Sequence, residues 1–152
     1  MKRRTLLKGT TAVLAGLALP WPGSVTAAQQ ATDAFAARTE AEVLGILFGQ
    51  ATAIPSERIV IELPVQAKQG ESVACRVSCD WYAVDIIAIV SRENRHPLNT
   101  FVRLYDAAAY YNTRIRLDET STVTAYVKSG GKLYAASTNI KINPGGYGMH
   151  NK

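Results

Sequence analysis

The chain has 152 residues, with 17 basic and 12 acidic side chains and a net charge of +5. That length suits one domain with one core. Four of the basic residues fall within residues 1–27; beyond them the balance is 13 against 12, so a near-neutral domain remains with no electrostatic case for binding nucleic acid.

Residues 1–27 read as an export signal. Lys2, Arg3, Arg4 and Lys8 form a basic start, Thr11 to Leu19 a short apolar run, and Val25-Thr26-Ala27 a small-residue cleavage site. Arg3-Arg4-Thr5-Leu6-Leu7-Lys8 fits the bacterial twin-arginine pattern, which predicts a periplasmic protein exported by that route. The apolar run falls short of the about 20 residues a bilayer needs, and no later stretch is long and apolar enough for a membrane span.

Residues 28–31 are expected as a loose linker, and 32–143 as the folded domain. Thr32 or Asp33 can cap a helix, and Thr39-Glu40-Ala41-Glu42 has capping-box spacing. Phe35, Val43, Leu44, Ile46, Leu47 and Phe48 give one amphipathic helix that ends at Gly49, with a break near Thr39 left open. After Pro55 the pattern changes to strands. Arg58–Leu63 is rich in β-branched residues, and Lys68-Gln69-Gly70-Glu71 is a turn. Ser72–Cys79 alternates with Val73, Cys75, Val77 and Cys79 on one face, and Val84–Val90 is a nearly continuous apolar run expected at the centre of a sheet. Arg92–Pro97 is a loop. Thr100–Tyr105, Asn112–Leu117, Thr120–Lys128 and Leu133–Ile142 are further strands, with Ser129-Gly130-Gly131-Lys132 as a hairpin turn between the last two. About seven strands with no helices between them exclude a parallel βαβ arrangement and predict an all-β, immunoglobulin-like antiparallel sandwich behind one N-terminal helix.

Beyond Asn143 the sequence changes again. Pro144, Gly145, Gly146, Tyr147, Gly148, Met149, His150, Asn151 and Lys152 cannot build a core, and 144–152 is expected to be a glycine-rich arm. Cys75 and Cys79 are the chain's two cysteines. On one extended strand their Cα atoms are ~13 Å apart, beyond the under ~7 Å that a disulfide needs, which predicts free thiols unless a bulge intervenes. The chain shows no paired-carboxylate motif, nucleophile elbow or phosphate loop, so no catalytic residue is assigned and an enzyme is not expected.

Several blocks resemble one family. Thr113-Arg114-Ile115-Arg116-Leu117, Glu119-Thr120-Ser121 with Val123, Gly131-Lys132-Leu133-Tyr134, Ile140-Lys141-Ile142 and Gly145-Gly146 are similar to the second half of SoxY. Ile59-Val60-Ile61-Glu62-Leu63-Pro64 resembles its first strand, and Asn94 with Pro97 a degenerate form of its Asn-Pro loop. SoxY is the sulfur-carrier subunit of the periplasmic Sox thiosulfate-oxidation system. The resemblance implies an immunoglobulin-like carrier protein that forms a heterodimer with a second β-sandwich subunit, SoxZ, meets other Sox proteins and needs no cofactor. It also implies an arm of the form Gly-Gly-Cys-Gly-Gly whose cysteine holds the sulfur intermediate. Here Gly145, Gly146, Tyr147 and Gly148 occupy that arm, with Tyr147 at the cysteine position and Met149 at the final glycine. A phenol has no sulfur to extend into a persulfide and ionises only near pH ~10, against ~8.5 for a free thiol. The expectation is a SoxY-like subunit that pairs with a SoxZ-like partner without carrying sulfur covalently.

Two alternatives belong to other classes. Met149 and His150 are a thioether and an imidazole, donor types that suit copper, but two neighbours make an incomplete metal or redox site. A plain protein-binding module is the other, with Tyr105, Tyr110 and Tyr111 as an interface patch. Arg114 and Arg116 can meet an anionic partner; the bland reading is a solvated strand face. His96 beside Pro97 reads as a surface histidine, and Asp85 as a sandwich-edge or partner-facing residue without a chemical role.

Overall fold

A computed structural model describes residues 26–49 and 52–145. Two helices precede the strands instead of one: α1 (Ala27–Ala36) and α2 (Glu40–Phe48). Residues 28–31, expected as a linker, are part of α1. Their Ala and Gln side chains are good helix formers, and Thr26 supplies the cap, its Oγ1 accepting from the Gln29 amide at 3.3 Å. The caps expected at Thr32 and Asp33 fall inside the helix, where Thr32 donates to the Ala28 carbonyl at 3.0 Å and Asp33 accepts from Gln29 at 2.8 Å. The break at Thr39 is real. Thr39 Oγ1 accepts from the Glu42 amide and the Glu42 carboxylate accepts from the Thr39 amide, both at 3.2 Å, which closes a capping box at the head of α2. Gly49, at φ +65°, ends the helix.

The strands are β1 (Ile54–Pro55), β2 (Ile59–Glu62), β3 (Gln66–Lys68), β4 (Ser72–Cys79), β5 (Val84–Ser91), β6 (Leu98–Arg103), β7 (Tyr110–Arg116), β8 (Ser121–Ser129) and β9 (Lys132–Asn143). One sheet has the order β1-β9-β8-β5-β6, with β3 also paired to β9, and the other has the order β2-β4-β7. Together they form the immunoglobulin-like sandwich that the strand pattern predicts. The two short strands β1 and β3 were not legible, and both run parallel to β9, so the sandwich is not antiparallel throughout. Each is two or three residues long and has no hydrophobic alternation of its own to read. Gly130 and Gly131, at φ +57° and +76°, make the tight β8–β9 turn, a conformation that residues with a Cβ rarely adopt.

The large sheet is buried on both faces. Val73, Cys75 and Val77 from β4 and Ile115 from β7 meet Ile87, Ile89, Val123, Ala125 and Val127 in the space between the sheets. The alternate residues of the same strands, Ile86, Ala88 and Val90 on β5 and Tyr126 on β8, pack against Val43, Leu44, Leu47 and Phe48 of α2 and Ala34 of α1. The molecule therefore has three layers: helices, large sheet, small sheet. This double burial is why β5 reads as a continuous apolar run. It is interrupted at Asp85, which is exposed and has no partner on β8, since Val84 faces Ser129 and Ile86 faces Lys128; its carbonyl accepts from the Leu104 amide at 2.9 Å.

Candidate functional site

The strand directions give the sandwich two distinct ends. β9 runs from the tight turn at Gly130 to Asn143, and Asn143 leads into Pro144 and Gly145. The start of β4 and the end of β7 lie at that same end, because Ser72 pairs with Arg116. The end of β4 lies at the other, where Cys79 pairs with Ile59. At ~3.4 Å per residue, the eight residues of β4 separate the two ends by about 25 Å.

The root of the C-terminal segment is held on both flanks. On one side Ser121 of β8 faces Ile140; on the other Gln66 and Lys68 of β3 face Lys141 and Asn143. Thr120 Oγ1 accepts from the Ile142 amide at 3.0 Å, and the Gln69 amide donates to the Asn143 carbonyl at 3.0 Å. Ile140 and Ile142 face the core. Asn94 secures the neighbouring loop, donating to the Arg116 carbonyl at 3.0 Å and accepting from the Asp118 amide at 3.1 Å. Gly145 is the last described residue of the expected arm, and a side chain there would meet nothing within 4 Å. Gly146, Tyr147, Gly148, Met149, His150, Asn151 and Lys152, the remainder of the expected arm with its candidate copper ligands Met149 and His150, lie outside the described residues.

The two thiols stand apart from that end and are free, as their spacing predicts. Cys75 is fully buried between the sheets, and burial pushes its thiol up to about 11. Cys79 is half-buried at the far end. Its thiol is also raised, first by burial and then by the Asp80 charge, against the opposing backbone contact of Trp81 and the Arg58 charge. Neither is a ready thiolate at neutral pH, which is the form that attacks electrophilic sulfur.

The other residues singled out from sequence are scattered. Tyr105 and Tyr110 are exposed, whereas Tyr111 is half-buried with its hydroxyl 2.8 Å from Thr100 Oγ1, so the three do not form one patch. Arg114 and Arg116 share the open face of the small sheet; neither has an ion pair among the described residues, and Arg114 reaches the Ser72 carbonyl at 3.4 Å. His96 is exposed, with Nδ1 3.4 Å from the Ala37 carbonyl. Among the described residues no three His, Cys, Asp or Glu side chains converge as metal ligands. No helix among them is long and apolar enough to cross a membrane.

Sequence reasoning missed the loop that follows β4. Trp81 stacks on Tyr134 with ring centroids 4.5 Å apart, and Arg58 lies 5.1 Å over Trp81 while binding Asp80 at 2.7 Å. Asp80, Trp81 and Tyr82 line a hollow of about 580 Å³ between that loop and the one before β7. The consecutive Asp80-Trp81-Tyr82 in a turn was the available signal.

A family model described as sulfur oxidation protein SoxY matches residues 45–146. Among solved structures, the sulfur carrier protein SoxY from Chlorobium limicola f thiosulfatophilum is similar at a TM-score of 0.61 and 25% identity, over 67% of this chain and 94% of that one. A superoxide reductase (neelaredoxin) from Ignicoccus hospitalis is similar in fold, with a TM-score of 0.52 and 18% identity over 57% of this chain and 81% of that one. No curated protein matches by sequence.

Proposed function

The chain belongs to the SoxY family of sulfur oxidation proteins, and from that premise we propose that it is a carrier-type subunit that pairs with a SoxZ-like partner but does not hold sulfur covalently. The observation that carries this reading is Tyr147. Where the resemblance places the family's Gly-Gly-Cys-Gly-Gly, this chain reads Gly145-Gly146-Tyr147-Gly148-Met149. The chemistry of a carrier needs a thiolate as nucleophile and leaving group, and a phenol supplies neither the sulfur nor the ionisation. Cys75 and Cys79 do not replace it: one is sealed in the core and the other sits at the far end of the sandwich, both with raised thiols. In this reading the protein is a non-enzymatic member of a heterodimer, exported to the periplasm by the twin-arginine route. Its intact domain is kept for recognition while the arm presents a peptide instead of a reactive group.

The test uses the mature protein with a SoxZ-type subunit, thiosulfate and the oxidising Sox enzymes, read by intact and peptide mass. The expected result is co-purification of the pair with no sulfane or sulfonate mass on residues 144–152. In the same mixture Tyr147→Cys acquires one. An adduct on the unaltered arm overturns the reading.

A further inference from the structure

The first turn of α1 holds the helix layer at two points. The Gln30 side chain donates from its amide nitrogen to the Ile46 carbonyl at 2.6 Å, in the last turn of α2. Its oxygen accepts from the Arg103 guanidinium at 2.6 Å, at the end of β6. Both bonds are part-buried. Arg103 has no ion pair among the described residues, and it lines a hollow of about 270 Å³ together with Lys128 and Asp85. Farther along α1, fully buried Ala34 and the Phe35 ring, 5.8 Å from that of Phe101, fix the rest of the helix by other contacts.

That first turn depends on Thr26. Its Oγ1 accepts from the Gln29 amide at 3.3 Å and its carbonyl from the Gln30 amide at 3.0 Å. No acidic side chain stands in the turn. Thr26 is also the middle residue of Val25-Thr26-Ala27, the cleavage site expected at the end of the export signal. Hydrolysis of the Ala27–Ala28 peptide bond by a signal peptidase consumes one water and leaves a carboxylate on Ala27 and an ammonium on Ala28. The cut removes both Thr26 acceptors, and the new positive charge lies at the helix end that favours negative charge. Thr32 and Asp33 are the next residues of a type able to cap, so the helix has a second place to begin.

We propose that removal of the signal is a structural switch: in the precursor Thr26 holds the first turn of α1 closed, and cutting after Ala27 opens it as far as Thr32, so that Gln30 releases Arg103 and the end of α2. The inference rests on the reading that the chain is exported and cut. Without the cap, the entropy of ordering the backbone of residues 28–31 outweighs the net worth of the two hydrogen bonds of Gln30. The processed chain then presents, in the hollow it shares with Lys128, a guanidinium that the precursor keeps engaged. Peptide hydrolysis makes the switch one-way, and it separates the chain before export from the chain after it.

The experiment compares two forms of the full protein: the precursor, retained before export by Arg3→Lys with Arg4→Lys, and the processed chain isolated after export. Intact mass locates the N-terminus. Hydrogen exchange at the Thr32 and Asp33 amides reads the turn, because their helical acceptors, four residues earlier, survive the cut. Labelling by an arginine-specific dicarbonyl reagent reads Arg103, with exposed Arg114 as the internal reference. The expected result is a processed mass that lacks Thr26, exchange at Thr32 and Asp33 faster by at least about fivefold in the processed chain, and faster labelling of Arg103 against unchanged Arg114. In the precursor, Thr26→Val is expected to speed both readouts without a cut, and Gln30→Ala to speed the labelling of Arg103. Equal exchange or equal Arg103 labelling in the two forms overturns the switch, and so does a precursor in which Gln30→Ala leaves the labelling unchanged. A processed chain that retains Thr26 overturns the switch while export stands. A chain that is never exported and cut overturns the export reading and the switch together.

Discussion

Tyr126 donates its phenolic proton to the carboxylate of Glu40, joining the centre of the large sheet to the first residue of α2. Arg92 completes the group, binding the other Glu40 oxygen at 2.9 Å. Burial, and then the carboxylate beside it, hold the Tyr126 phenol well above its ordinary ionisation range, so it remains a donor at any physiological pH. The helix layer is thus held to the sheet by apolar packing and by one polar clamp whose donor is almost fully buried.

Removing that donor leaves Glu40 partnered only by Arg92. Tyr126→Phe keeps the ring against Phe48, whose centroid is 6.4 Å away, and isolates the hydroxyl. The expected cost is about 1.5–3 kcal/mol, as for a hydrogen bond to a charged group. Urea unfolding checks it, and a midpoint equal to that of the parent would show that the clamp contributes nothing.

Ile87 and Ile89 are fully buried between the two sheets. Ile87→Ala is expected to destabilise by about 2–5 kcal/mol, because removed contacts and a residual cavity add. Arg114→Ser, on the exposed face of β7, is expected to fall within about 0.5 kcal/mol of the parent. The contrast between the two midpoints is the readout.

The buried thiol gives stability a pH dependence. Cys75 is raised by burial from 9.0 to about 11. The unfolded chain therefore loses this proton first, and stability falls as pH rises between about 9 and 11, by up to about 2–3 kcal/mol, while below pH 9 the contribution is fully present. Denaturation midpoints for the parent and for Cys75→Val are expected to diverge across that window. A thiol reagent at neutral pH is expected to label half-buried Cys79 slowly in the native protein and Cys75 only after unfolding.

Thr120 stabilises the last turn of β9 through its hydroxyl, which accepts from the Ile142 amide. Thr120→Val conserves shape and removes that partner. It is expected to cost about 1 kcal/mol and, more specifically, to speed hydrogen exchange at Ile142 while leaving β5 protected. Uniform acceleration across both strands would mean that the contact acts globally and not on the segment root.

The strands facing the inner core were legible because their alternation is strict: Val73, Cys75 and Val77 on β4 are buried as read, and the Gly130-Gly131 turn is where the sequence puts it. Alternation reports one face only. On β8 it marks Val123, Ala125 and Val127, and leaves Thr124 and Tyr126 on a face that reads as solvent. The helices cover that face, so Thr124 and Tyr126 are buried too. The split of the helical region at Thr39 carried its signal in the capping box, whereas the cap at Thr26 did not stand out beside the small residues of an export signal. Of the candidate site, the root at Asn143 was legible from Pro144 and the glycines after it. The hollow between the 80–83 and 104–109 loops was not, because it is made by residues far apart in sequence that only the pairing of β4 with β7 brings together.

The β8 ladder ends at Ile140 and the β3 ladder at Asn143, and Pro144 follows at once. Pro144 and Gly145, the described residues after Asn143, are exposed and belong to no strand. A cysteine-bearing sequence exchanged in after Gly145 is therefore expected to leave the melting of the described scaffold unchanged.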